Sequence, residues 1–357
     1  GAAIGTGIDR LDGAPGRKEI STGGVFHCRP GPWGDLECTR IITELPDGFI
    51  PADWSPQPVR WFFKHCSRQQ VGDLFRSAGL TAAQRSALEA TPWEETADGV
   101  VVIPGSDLVL ELDPEARATI YKVLGAHPEN PRQFKPFRYP EAAAAEWFAE
   151  SCLRPETETL VRRLLYRRGK SLAFSDVDVV MPFLSDAGEQ SRLLKTLTRR
   201  STLLVRLHVE PGADPTALAD YWSEGDRSKD IYPRLVSLAR QPYGADIGLV
   251  HLLPPVPREL LYTYPRPDGL SRESDRDNHW TSLNFLRSTP DDRFIGDEEA
   301  VRQALGEDYD VVGEASRLGD VIVFLSPEGA LIHSCAYVAD NIVFTKNGQG
   351  WGAAWIL

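Results

Sequence analysis

Two stretches near the C-terminal end of the chain bring together the residue types that proton transfer and acyl chemistry need. The first is Asp275-Arg276-Asp277-Asn278-His279-Trp280-Thr281-Ser282-Leu283-Asn284-Phe285-Leu286. Asp277 is a good N-cap, and Trp280, Leu283 and Leu286 recur at helical spacing, so the sequence predicts a helix with Asn278 and His279 in its first turn. Backbone N–H groups and the helix dipole favour negative charge there, and a cysteine so placed would be held as a thiolate. The second stretch runs through Arg317–Phe324, Gly329–Val338 and Asn341–Gly348. It reads as three consecutive strands in an antiparallel meander, with His333 opening the middle strand and Thr345, Lys346 and Asn347 ending the third. An imidazole in that position can carry a proton, provided a neighbour holds the ring.

A helix start, the strand Gly319-Asp320-Val321-Ile322-Val323-Phe324, a strand opening with His333 and continuing to Ala336-Tyr337-Val338, and a third strand ending in polar residues together resemble a papain-like hydrolase domain of the NlpC/P60 kind. The resemblance spans roughly Tyr262 to Leu357, under a third of the chain, and nothing comparable is seen for residues 1–260. It implies an α+β fold in which a helix packs on an antiparallel sheet, with a cysteine at the helix start, a histidine on a strand and a third polar residue orienting the histidine. Asn278 takes the cysteine's place. His333 takes the histidine's. The third position falls on Thr345 by strand spacing, while Asn347 is the chemically better candidate because an amide can accept from an imidazole N–H. His279 and Trp280, next to the nucleophile position, would contact substrate.

Asparagine has no ionisable nucleophile, so acyl-enzyme chemistry cannot run from position 278. The resemblance therefore implies a cysteine-peptidase-like amide hydrolase of cell-wall peptides that is inactive as written, or a non-catalytic module that binds peptide or glycan in the same cleft. An acyltransferase on the same scaffold stays open as well. A shift of register would leave Cys335 as the nearby thiol, but it stands two residues after His333 on one strand, poor geometry for a group that must approach from a separate helix. Asp320, an acid following a glycine at a strand start, reads as the fixer of a turn. No cofactor is implied. The partner would be a peptide or cell-wall fragment, and a cell-wall substrate would imply export to a periplasm or cell surface.

Upstream, strand-like runs fall at Gly24–Cys28, Glu37–Leu45, Gly99–Ile103 and Asp107–Leu112, with helices at Arg68–Ser77 and from Thr81, where Thr81 and Gln84 have capping-box spacing. Residues 1–19 read as a loose, Gly-rich lead-in. Asp113-Pro114 starts a helix, Pro140–Cys152, Pro155–Arg168 and Glu189–Arg199 have helical patterns, Ser201–Val209 alternates as a strand, and Asp214-Pro215 opens another helix. These elements divide the chain into a small α+β unit (1–112), a mainly helical region (113–255) and the NlpC/P60-like domain (256–357). The full length of 357 residues calls for more than one core.

Composition narrows the rest. Fifty-one acidic against 39 basic residues give a net charge of −12, which disfavours a phosphate-binding surface and hence a nucleic-acid partner. No run of about 18 apolar residues offers a membrane span. The chain opens on Gly1-Ala2-Ala3, so the lack of a visible signal peptide says little about export. The five cysteines show no CxxC pair; Cys28 and Cys38 could bridge across a hairpin in an oxidising compartment or serve as small buried thiols. His27-Cys28 and His65-Cys66 suggest metal ligands, but adjacent strand residues point to opposite faces, so each pair offers one ligand at most and no metal site is expected. His208 and His251 read as packed histidines. Trp33, Trp54, Trp61 and Trp93 fit either a core or a ligand groove.

Overall fold

A computed structural model describes residues 2–6 (as backbone), 22–50, 57–184, 186–224, 227–267, 272–348 and 350–357. The chain forms two compact units. One combines Gly1–Phe49 with Arg199–Leu357, and the other is Ile50–Thr198. These units do not follow the boundaries expected at 112 and 255. The reason is a long antiparallel ladder: Asp35–Thr43 pairs with Arg200–Val209 over its whole length, from Asp35 opposite His208 to Thr43 opposite Arg200. That pairing makes the first unit discontinuous in sequence.

The inserted unit, Ile50–Thr198, is α+β. The strands Trp61–Lys64 and Trp93–Thr96 flank Gly99–Val102, and helices Arg68–Ser77, Ala82–Glu89 and Pro114–Leu124 accompany them. The expected capping box at Thr81 forms, with Gln84 N–H donating to Thr81 Oγ1 and Thr81 N–H to Gln84 Oε1. Two expectations need correction here. Asp107–Leu112 is not a strand. A helix runs through Ser106–Glu111, because Leu108, Val109 and Leu112 are the residues that bury, at helical rather than alternate spacing. Within 113–255 helices predominate, and among them lie the three-stranded sheet of Phe137–Pro140, Ser171–Phe174 and Tyr166–Arg168 and the strands Arg200–Val209 and Ala245–Gly248. The helix begun at Pro155 stops at Arg163, so Tyr166–Arg168 is a strand and not its last turn.

The first unit contains a four-stranded antiparallel sheet, ordered Ala245–Gly248, Arg200–Val209, Asp35–Thr43, Val25–His27, and a six-stranded sheet. In the second sheet the expected meander forms as Val321–Leu325, Leu331–Ala339 and Ile342–Lys346, extended by Trp355–Ile356. Ala2–Thr6 lies between Val311–Val312 and Val321–Leu325, parallel to both, so part of the expected loose lead-in is a sheet strand. Residues 7–19 of that lead-in, and Trp54, lie outside the described residues.

Side chains from both sheets and from helices Pro215–Trp222 and Ser228–Ala239 share one core, including Leu36, Cys38, Leu207, Trp222, Leu235, Val338, Phe344 and Trp355. The helix Asn278–Leu283 packs against the strands Leu331–Ala339 and Ile342–Lys346. It buries Trp280 and Leu283 with Val321, Val323, Phe294 and Val301. Mixed α and β structure with antiparallel sheets is thus the fold class. Among the described residues no helix is long and apolar enough to cross a membrane.

Phe285, two residues past the end of this helix, is fully buried with its ring centroid 5.8 Å from that of Phe344. Replacing Phe285 by Ala should destabilise the first unit by about 3–5 kcal/mol, read from urea unfolding followed by tryptophan fluorescence. A loss below about 1 kcal/mol would mean that the helix is not seated on this core.

Candidate functional site

The site is built around the first turn of the helix Asn278–Leu283. Asp277 caps it, its Oδ1 accepting from Trp280 N–H at 2.9 Å. The helix is short because Asn284 closes it: Asn284 Nδ2 donates to the carbonyl of Trp280 at 2.9 Å, and its Oδ1 accepts from Asp291 N–H at 2.6 Å. Leu286, expected as the next helical position, therefore lies past the helix end and is exposed. The approach to the helix is fixed by Lys346, whose side chain is fully buried. Its ammonium donates to the carbonyls of Glu273 and Arg276 and stands 4.5 Å from the Trp355 ring. Burial pulls Lys346 down to about 7, while the Asp277 carboxylate pushes it back up and Arg276 lowers it further.

Helix and sheet meet through a polar cluster. Ser334, buried on the strand Leu331–Ala339, contacts His279 Nδ1 at 2.9 Å and Ser282 Oγ at 2.7 Å, and donates to the Asn278 carbonyl at 3.4 Å. His333, one residue earlier, leaves the opposite face of the pleat. Its Nε2 is 3.1 Å from Thr345 Oγ1, and its ring lies 6.0 Å from that of Phe324. Thr345 Oγ1 also donates to the carbonyl of Ser334 at 3.3 Å, so one hydroxyl spans the histidine and the strand backbone. Burial pulls the His333 imidazole down to about 4. The nearby His279 lowers it further and Asp277 raises it. His279 is likewise lowered by burial, opposed by Asp277 and Glu298. Both rings are neutral near pH 7.

The structure brings His333 to Thr345, and His279 to Ser334 and to the electrostatic neighbourhood of His333. Asn278 is in the expected first turn. Its side chain is buried, and its amide nitrogen has no hydrogen-bond partner among the described residues. Asn278 and His333 are connected through Ser334 and the end of the strand, not by a hydrogen bond between their side chains. Of the two candidates for orienting the ring, Thr345 holds it; Asn347 follows the strand and is exposed.

Trp280, expected beside a cleft, is fully enclosed. Its Nε1 donates to Asp292 at 2.8 Å and the Arg276 guanidinium lies 4.3 Å above its ring. It anchors the helix and presents no face to a ligand. Asp320 fixes a turn as expected, accepting from Ser316 and Arg317 N–H at 2.8 and 3.0 Å. Cys335 is buried and its thiol is pushed up to about 12 by burial, the opposite of an activated nucleophile.

Sequence reasoning missed Ser334, Ser282 and Lys346. The available signals were a polar residue inside the apolar run Ala336–Val338 and its lead-in, and a lysine ending the strand Ile342-Val343-Phe344-Thr345. Among the described residues no group of three or more His, Cys, Asp or Glu could hold a metal ion. Comparison with protein-family models, curated proteins and solved structures yields no match to this chain.

The His333 ring should titrate near 4 by NMR of its imidazole carbons, against an ordinary 6.5. As pH falls through 6.5 the unfolded chain takes up a proton that folded His333 refuses until about 4, so stability should drop across that window and level off below it. His333→Gln should flatten this part of the pH–stability curve. A ring titrating at or above 6.5 would contradict the buried, neutral assignment.

Proposed function

We propose that the C-terminal part of the chain is a degenerate NlpC/P60-like domain that binds peptide or glycan and does not cleave it. The observation that carries this reading is Asn278: a non-nucleophilic side chain in the first helical turn, buried, with an amide nitrogen lacking a partner among the described residues. Acyl transfer requires a nucleophile and a base within hydrogen-bond reach of each other. Here the position facing that task holds an amide, His333 is hydrogen-bonded to Thr345, and the one nearby thiol, Cys335, is buried and protonated.

The same residues suit recognition. Neutral His333 and His279 and the Asn278 amide can offer both donors and acceptors to a peptide bond or a sugar hydroxyl without the cost of desolvating a charge. The ligand class, a cell-wall peptide or glycan fragment, follows from the resemblance of the helix start and the meander to NlpC/P60 domains, and would entail an exported location.

Incubation of the protein with peptidoglycan-derived muropeptides should shift the imidazole resonances of His333 and His279 saturably and release no new amine. Asn278→Cys should leave hydrolysis absent, because the residue that bonds the 278 backbone is Ser334, while His333 leaves the opposite face of that strand and is bonded to Thr345. Turnover by that variant, or cleavage by the unaltered protein, would instead assign an amide-hydrolase site. The absence of any saturable shift would remove the binding reading.

A further inference from the structure

We propose that Cys28 and Cys38 are a covalent modification site, closing to an intramolecular disulfide under mild oxidation by a low-molecular-weight disulfide. The geometry comes from the register of the two strands Val25–His27 and Asp35–Thr43. Phe26 lies opposite Cys38, and Cys28 N–H continues the ladder by donating to the carbonyl of Leu36 at 3.0 Å. Residues two apart on a strand share a face, so both cysteines turn to the same side. Their sulfurs are 3.6 Å apart with both residues in the thiol form. A disulfide needs about 2.05 Å between sulfurs, so the remaining gap must close by about 1.5 Å.

The backbone that presents Cys28 is held on its far side. Arg29 N–H and Nε donate to the Asp340 carboxylate at 3.0 and 2.7 Å, and Trp33 Nε1 donates to the Arg29 carbonyl at 3.1 Å. Trp222 Nε1 in turn donates to the Trp33 carbonyl at 3.1 Å. The loop following Cys28 is therefore fixed before any oxidation, which limits the escape of one thiol from the other.

Exposure sets the order of events. Cys28 is half-buried and Cys38 fully buried. The Cys28 thiolate attacks one sulfur of the small disulfide, breaking its S–S bond, forming a mixed disulfide and releasing one small thiol. Cys38 loses its proton and attacks the Cys28 sulfur, which forms the protein disulfide and expels the second small thiol. Two protein thiols are oxidised, one small disulfide is reduced to two thiols, and the two protons pass to those products. The hydrogen bond with Cys28, and then burial, raise the Cys38 thiol, so the second step should be slow and should quicken as pH rises. The product would fasten Val25–His27, the three-residue edge strand of the four-stranded sheet, to its neighbour.

The test uses the full chain, folded, in mixtures of reduced and oxidised glutathione. The expected result is a fall in titratable thiols from five to three, a mass lower by two hydrogens, and a proteolytic peptide joining Cys28 to Cys38. All three should reverse with dithiothreitol and be absent in Cys28→Ser, with Tm higher in the oxidised form. A stable glutathione adduct on Cys28 with Cys38 still a thiol, a bond to Cys66, Cys152 or Cys335, or an unchanged thiol count would each overturn the proposal. The peptide map of the unaltered chain decides by itself if Cys28→Ser does not fold.

Discussion

A six-residue helix has no stability of its own, because nucleating a helix costs more than so few hydrogen bonds return. The helix Asn278–Leu283 therefore exists only as a docked element, and every residue of the candidate site depends on how it docks. Two kinds of contact hold it. Trp280 and Leu283 enter an apolar cluster with Val321, Val323, Phe294 and Val301, which supplies most of the driving force. The second is directional: Ser334 with His279, Ser282 and the Asn278 carbonyl, and Trp355 Nε1 donating to Thr281 Oγ1 at 3.0 Å. The apolar contacts would tolerate some sliding or rotation. The polar ones fix the helix rotation, and with it the direction in which Asn278 and His279 leave the first turn.

Lys346 extends the same constraint to the incoming chain. A buried ammonium is costly unless its hydrogens are bound, and here carbonyls of Glu273 and Arg276 bind it on the way into the helix. One strand, Ile342–Lys346, thus carries two successive residues that act on opposite sides of the sheet. Thr345 orients His333, and Lys346 fixes the approach to Asn278. The pleat separates the two duties. That separation also explains how His333 and Ser334, adjacent in sequence, come to belong to different hydrogen-bond groups.

What could be read in the sequence was what local chemistry dictates. The Thr81–Gln84 capping box, the Asp277 cap, the turn at Gly319-Asp320 and the three-strand meander all rest on residues within a few positions of each other, and all formed. Pairings between distant segments left no local mark. Nothing in Ala2–Thr6 specifies that it should lie parallel between Val311–Val312 and Val321–Leu325, and nothing near Asp35–Thr43 names Arg200–Val209 as its partner. At Asp107–Leu112, Leu108, Leu110 and Leu112 satisfy strand alternation while Leu108, Val109 and Leu112 satisfy a helix turn, and a run this short cannot decide between them until the core does. Within the candidate site, positions 278, 279, 333 and 345 could be singled out because each lies at or near the end of an element that the sequence marks. Trp280 was misjudged because nearness in sequence to a reactive position does not say which way a helical side chain faces.

The strongest physical tension in the site is the Asn278 amide. A buried donor without a partner costs about 1–3 kcal/mol, and the helix could avoid this with an alanine or a leucine facing the same cluster. His333 adds a second cost, since its burial holds the ring neutral where water would allow it to charge. Trp280, Leu283 and Ser334 seat the helix through contacts that involve neither side chain. Polar groups that weaken a site without positioning it are explained most simply by something that satisfies them when it arrives. A ligand presenting both a carbonyl and an N–H or hydroxyl, as a peptide bond or an amino sugar does, would relieve the amide and use the neutral imidazoles together. On the binding reading proposed above, Asn278 is less a lost nucleophile than a donor whose acceptor comes from outside the chain.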